Sequence, residues 1–199
     1  INILILNYAY MSNVYFTSDL HLGHRRILEL YQWRPFAQMG DIEAHDNKLI
    51  ELWNSTVSKH DMVYILGDFS LKSANENRKI LERLNGYKYL CPGNHDSSLK
   101  SLSNYFEKVE QIMIAKFKKE IYTFLQSDME FVLCHYPLVE WAGMHHGVFH
   151  LHGHCHGQCE TPDPRRIDVG IDSTKSILIS LEEVLMHFNL TLGTPVESE

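Results

Sequence analysis

Apolar residues gather along this chain in short, β-branched runs, and turn-forming polar residues follow each run closely. Five runs stand out: VYFTS before Asp19, MVYIL before Gly67, KYLCP before Gly93, FVLC before His135 and VFHLH before Gly153. Runs of this kind bounded by Gly or Pro predict buried strands. Between them, DIEAHDNKLIELWNSTV places Ile42, Leu49, Ile50, Leu52 and Trp53 at helical spacing behind an acidic start. A further helix is expected over residues 74–84, ended by Gly86, and a last one over residues 181–188. HRRILELYQWRPF reads as a short helical turn and loop broken at Pro35. KVEQIMIAKF, EIYTFLQ and EFVLC alternate without a helical period and predict consecutive antiparallel strands, with GVFHLH and RRIDVGI as two more. Strands and helices alternate in the first half and strands dominate the second. Two packed sheets flanked by helices, an α/β fold in four layers (αββα), satisfy that order best.

A chain of 199 residues defaults to one domain, expected over residues 11–193. The opening INILILNYAY lacks the basic start and cleavage site of a signal peptide. Residues 1–10 are therefore expected to be an extension ahead of Met11, and residues 194–199 a frayed tail. No apolar segment reaches the length of a membrane helix. A net charge of −7 argues against a broad nucleic-acid surface but not against a small phosphorylated ligand, because bound metal supplies positive charge locally. The four cysteines form no secreted disulfide framework in a chain this long, so they are read as reduced, and the location as cytoplasmic. Cys155 and Cys159 make half a zinc knuckle with no second pair, while Cys91 and Cys134 sit inside apolar runs.

Histidine changes the picture most. There are 13, seven of them between His135 and His156, a density that points to metal, although His145 and His146 fit a plain surface run equally well. Asp19 and His21 flank one residue at a strand end, where alternation would send both to the same side. Asp68 after Gly67 is alone an ordinary turn. Gly93-Asn94-His95-Asp96 places an amide, an imidazole and a carboxylate on consecutive turn positions, and His154 and His156 again stand two apart. Each is weak alone. Together, two Asp, one Asn and four His at five strand ends predict one polar cluster, since chemistry in open sheets gathers where strands end.

The order DxH, GD, GNHD, a lone His before Tyr-Pro, and GHxH resembles the calcineurin-like metallophosphoesterases from Val14 to about Gly157. Arg34-Pro35-Phe36 and Trp53-Asn54 resemble segments of small single-domain members found in phage and bacterial genomes. The resemblance implies a sandwich of two mixed sheets and a two-metal phosphoester hydrolase. Asp19, His21 and His156 would hold one ion, Asn94, His135 and His154 the other, and Asp68 would bridge them, with His95 over the substrate. The protein-phosphatase branch carries GDxxDRG, whereas Phe-Ser-Leu follows Asp68 here, which speaks against a phosphoprotein substrate.

Two divalent ions about 3.5–4 Å apart make hydroxide available near neutral pH and neutralise phosphate charge. Asp19 and Asp68 leave part of that positive charge for substrate, and neutral Asn94 preserves it. Imidazole and oxygen donors suit manganese foremost, and admit iron, zinc, nickel or cobalt. His95 is expected to give a proton to the leaving oxygen, with Asp96 holding its ring. Asn94 and Arg34 are the expected substrate contacts, Arg34 by clamping a non-bridging oxygen. His24 is read as lining the pocket or facing solvent, and Arg165, Arg166 and Asp168 as surface or strand-end residues. The expected activity is a metal-dependent phosphodiesterase or phosphatase on a small substrate, a nucleotide among the candidates. A nuclease is the first alternative, opposed by the acidic charge and the missing DNA-capping domain. A non-enzymatic interaction module is the second, opposed by the intact ligand set.

Overall fold

The first sheet of the computed structural model, which describes residues 12–160 and 163–190, runs in the order β4-β3-β2-β1-β9. Strands β1 (Val14–Thr17), β2 (Met62–Ile65), β3 (Tyr87–Leu90) and β4 (Lys108–Val109) are parallel, and β9 (Ile179–Ser180) closes the edge antiparallel to β1. The second sheet is β5 (Ile112–Phe117), β6 (Met129–Cys134), β7 (Phe149–His152) and β8 (Arg166–Asp168). There β5 and β6 are antiparallel, and β6, β7 and β8 are parallel. Both sheets are thus mixed. The expected extension (residues 1–10) and tail (residues 194–199) lie outside the described residues.

Alternation along each strand decides what it faces. Phe16 of β1 points into the space between the sheets, where its ring lies 6.3 Å from both Phe117 and Phe131. Val63 and Ile65 of β2 point the other way, onto Leu49, Ile50 and Trp53 of α2 (Ile42–Thr56), the helix that follows the short α1 (Arg25–Leu30), and onto Ile80 and Leu81 of α3 (Ala74–Leu81). Asp41 caps α2 by accepting from the Ala44 N–H, and Ser73 and Glu76 form a reciprocal capping box on α3. Trp53-Asn54 is a structural anchor: the Trp53 indole donates to the Asn85 carbonyl at 3.1 Å and the Asn54 amide to the Arg83 carbonyl at 2.9 Å. Outside the second sheet, Trp141 and Met144 cover Val132 from a loop holding only a short 3₁₀ turn (Met144–His146), so this outer layer is the thinnest. Near the end of the described chain, α4 (Ile171–Thr174) precedes β9, and α5 (Leu181–His187) adds Leu181, Val184 and Leu185 to the inter-sheet core. No helix among the described residues is long and apolar enough to cross a membrane.

Two expectations fail here. EIYTFLQ forms no strand: Asp128 accepts from the Lys119 N–H at 3.1 Å, closing a turn-rich loop in which Tyr122 and Leu125, three apart, are the buried residues. KVEQIMIAKF is not one strand either. Its first two residues pair with β3 in one sheet and its last six with β6 in the other. The five motif-bearing runs do form β1, β2, β3, β6 and β7, and their following loops meet at one rim.

Candidate metal centre

The loops after β1 and β2 are tied together before any ligand is counted. The Asp19 N–H donates to the Gly67 carbonyl at 3.0 Å, His21 N–H to Asp68 carbonyl at 3.0 Å, and the Ser18 hydroxyl to the Leu66 carbonyl at 2.7 Å. Strand alternation is not what turns Asp19 and His21 inward. Both lie beyond β1 on left-handed backbone (φ 58° and 51°), as do Asp68 (51°), His154 (70°) and His156 (49°). Such conformations are uncommon for residues with a side chain and persist where surrounding contacts over-determine them, which happens chiefly at functional sites. Gly67 and Gly93 supply the close approaches. A Cβ on Gly93 would stand 2.2 Å from Asp68 Oδ1, and one on Gly67 (φ +90°) would stand 2.4 Å from His135 Nδ1. Gly67→Ala is expected to cost about 1–3 kcal/mol of stability through this conformation and clash. Thermal unfolding should show that loss together with a smaller rise in Tm on adding Mn²⁺.

Three overlapping groups of donor atoms result, each drawn together within 4.8 Å: Asp19, His21 and His156; Asp68, His135 and His154; and His21, Asp68 and His95. Asp68 joins them, its Oδ2 lying 3.5 Å from His21 Nε2, 3.6 Å from His135 Nε2 and 4.0 Å from His95 Nε2. Asp19 Oδ1 lies 3.8 Å from both His21 Nε2 and His156 Nε2. Asp19, His21, Asp68 and His135 are buried, whereas His95 and His154 are exposed at the mouth. Asn94 is exposed in the turn between Gly93, which packs on Asp68, and His95, whose N–H donates to Asp68 Oδ1 at 3.0 Å.

Proton placement tests whether cations fit. His135 Nδ1 faces the Leu66 carbonyl at 2.8 Å, and a carbonyl only accepts, so Nδ1 carries the proton and Nε2 presents a lone pair to Asp68. His156 Nδ1 lies 2.7 Å from Asp172 Oδ2, which leaves its Nε2 facing Asp19. The Nε2 atoms of His21 and His135 are buried with no hydrogen-bond partner. Burial pushes Asp19 up to about 7, and burial with His156 and Arg34 nearby holds His21 down to about 2, keeping that imidazole in its ligating neutral form. Lone pairs aimed at buried carboxylates repel unless positive charge lies between them. The residues fit divalent cations.

Beneath the cluster lies a device that sequence reasoning missed. Asp172, at the start of α4, accepts from Arg34 Nε (2.9 Å) and Trp33 Nε1 (3.0 Å) on one oxygen, and from Arg34 Nη2 (2.6 Å) and His156 Nδ1 on the other. Burial raises the Asp172 pKa, but the His156 and Arg34 hydrogen bonds outweigh it and hold the carboxyl down to about 2. Arg34 also donates to the Asp19 and Leu20 carbonyls at 2.8 and 2.9 Å. At 2% exposure Arg34 is therefore no substrate clamp; it fixes the backbone of Asp19 and, through Asp172, the ring of His156. Asp96 is likewise not the partner of the His95 ring. Its oxygens accept from the Phe69 and Gly93 N–H groups, both at 2.9 Å, which shapes the turn under Asp68. Asp168 is a strand-end residue, the last of β8, but it is buried, accepting from the Gly157 and Gly170 N–H groups at 2.8 Å each. In the sequence Asp172 follows the apolar run RRIDVGI, the same pattern that marked the other motifs, although β8 itself ends at Asp168.

The histidine density divides three ways. His135, His154 and His156 reach the cluster; His150 and His152 are buried and bonded to backbone carbonyls; His145 and His146 are exposed. His24 stands at the rim, 5.3 Å from the His21 ring and 6.2 Å from that of His95. No cysteine joins a potential ligand group among the described residues.

The sequence profile of the calcineurin-like phosphoesterases matches residues 12–168, and the chain belongs to that family. It is 32% identical over 198 residues to the Gene 66 protein of Mycobacterium phage L5, covering 87% of this chain and 93% of that one. It is 30% identical over 179 residues to an uncharacterized protein of Methanocaldococcus jannaschii, covering 87% and 84%. A crystal structure of the Aquifex aeolicus protein AQ665, described as of unknown function, matches with a TM-score of 0.66 at 22% identity over 87% of this chain and 97% of that one, a likeness of fold. Hydrolysis of phosphoesters with divalent metals is the general chemistry of the family, and the ligand clusters agree with it.

Proposed function

We propose that this protein hydrolyses a phosphoester bond in a small phosphorylated substrate with two divalent ions. Asp19, His21 and His156 would hold one, Asn94, His135 and His154 the other, and Asp68 both. The orphaned, buried Nε2 atoms of His21 and His135, both turned onto Asp68, support this most directly. Two such ions supply an activated water and offset phosphate charge. The donor set of imidazole and oxygen suits manganese, with iron, zinc, nickel or cobalt as further candidates.

The remaining work falls to the chain itself. Asp68 keeps its place because the His95 N–H and the Gly93 backbone pack on its Oδ1 side. Asn94 stands in the same exposed turn and offers a neutral oxygen. His95 is the mobile-proton candidate: its imidazole is exposed at the mouth, 5.4 Å ring to ring from His21. In hydrolysis the water oxygen ends on phosphorus, the bond to the leaving alcohol breaks, and His95 delivers a proton to the departing oxygen. His95→Ala is expected to retain both ions while turnover falls about 10²–10⁴-fold. Loss of an ion would make His95 a ligand instead, and full activity would remove it from the reaction. The function itself is tested with bis(4-nitrophenyl) phosphate and 4-nitrophenyl phosphate in the presence of Mn²⁺. Hydrolysis of at least one is expected; turnover of neither would overturn the proposal.

A further inference from the structure

Two of the candidate ligand histidines have the outer ring nitrogen fixed by an acceptor, His135 Nδ1 by the Leu66 carbonyl and His156 Nδ1 by Asp172. His21 has a less obvious neighbour in the same place. Its Nδ1 lies 3.4 Å from His24 Nδ1, with the ring centroids 5.3 Å apart. One nitrogen of such a pair donates and the other accepts, and the far side of His21 decides which. His21 Nε2 is buried, has no hydrogen-bond partner and lies 3.5 Å from Asp68 Oδ2. A cation bound there needs the lone pair of that Nε2. The single proton of the neutral ring then sits on Nδ1 and points at His24.

His24 is seated from outside the site. Leu22 bridges to Ser70 beyond β2, and the chain turns at once, the His24 N–H donating to the His21 carbonyl at 3.0 Å across Gly23 (φ +80°). The Gly23 N–H donates to Asp46 Oδ2 at 2.9 Å, and Lys72 Nζ lies 2.9 Å from the same oxygen. His45 Nδ1 lies 3.0 Å from the other oxygen. Asp46 is buried on α2, so a helix holds the turn that carries His24. Lys72 closes over that turn, its Cγ only 2.7 Å from where a Cβ on Gly23 would stand. His24 itself joins no potential ligand group among the described residues. We infer that His24 is the outer partner of His21, accepting the Nδ1 proton and so presenting the Nε2 lone pair to the ion assigned to Asp19, His21 and His156. It is a positioning residue that acts through His21. The inference rests on the two-ion site proposed above.

His24→Leu and His24→Asn separate this role from packing. The two replacements share a branched shape, and only asparagine can keep an acceptor near the place of Nδ1. Mn²⁺ titration calorimetry of the metal-free protein is expected to show two ions in the parent chain. His24→Leu should weaken one of them about 10–100-fold, the range for outer partners of a metal-bound imidazole. His24→Asn should restore most of that loss. Thermal unfolding of the metal-free proteins should be alike in all three, since among the described residues the His24 side chain hydrogen-bonds only to His21. Two ions in the parent chain with unchanged affinity in His24→Leu, or equal losses in both variants, would overturn the positioning role and leave the metal centre standing. A raised KM at unchanged Mn²⁺ affinity would make His24 a substrate contact and overturn the role as well. A parent chain that binds no Mn²⁺ would overturn both.

Discussion

Asp68→Asn is expected to release at least one divalent ion and to lower turnover by about a thousandfold or more. In the proposed assignment the carboxylate is the one group that both ions would share, with Oδ2 3.5 Å from His21 Nε2 and 3.6 Å from His135 Nε2. An amide keeps the shape and the hydrogen bond from the His95 N–H, which normally sits 3.0 Å from Oδ1. It removes the negative charge that two cations would share. Lost metal charge stabilisation is worth several kcal/mol, and each 1.36 kcal/mol is about a factor of ten. Metal content by elemental analysis, read beside turnover of an aryl phosphoester, checks this. Two tightly held ions in a fully active variant would contradict it.

Asp172→Asn carries the second-largest expected effect, and it touches no substrate. Removing the charge leaves the Arg34 guanidinium, whose side chain has no exposed surface, without its anionic partner. Breaking a buried pair in this way costs about 3–5 kcal/mol. It also leaves one neutral amide oxygen where two anionic ones served His156, Arg34 and Trp33, which weakens the contact that fixes which His156 nitrogen faces Asp19. Outer partners of this kind are worth about 10–100-fold in metal affinity. Urea unfolding measures the first effect and Mn²⁺ titration calorimetry the second. A purely structural role would lower stability with affinity unchanged. Arg34→Lys should weaken the same ion, because an ammonium cannot reproduce the two-pronged contact with Asp172 and still reach the Asp19 carbonyl.

The parts of this molecule legible in its sequence are those written locally. Each of the five motif runs is a strand followed at once by its polar ending, so run and ending could be read together. The parts that were not legible depend on long-range partners. Arg34 and Asp172 are 138 positions apart, and nothing near Arg34 marks it as buried rather than substrate-facing. Asp96 lies beside His95 in the chain, which suggested a pair, but the turn sends its carboxylate to backbone N–H groups instead. EIYTFLQ has strand-like composition, yet its buried residues stand three apart, and the Asp128 carboxylate draws in both Lys118 and Lys119 to bend the chain. Asp19 and His21 were expected to converge through the pleat. They converge through left-handed turns, a conformation that composition does not announce for Asp or His.

Crystals of the protein grown with Mn²⁺, with anomalous difference maps collected at the manganese edge, test the metal centre most directly. The expected map holds two peaks on either side of the Asp68 carboxylate, about 3.5–4 Å apart as in other two-metal sites. One should touch His21 and His156, the other His135 and His154. A single peak, or ions bound away from Asp68, would contradict the account.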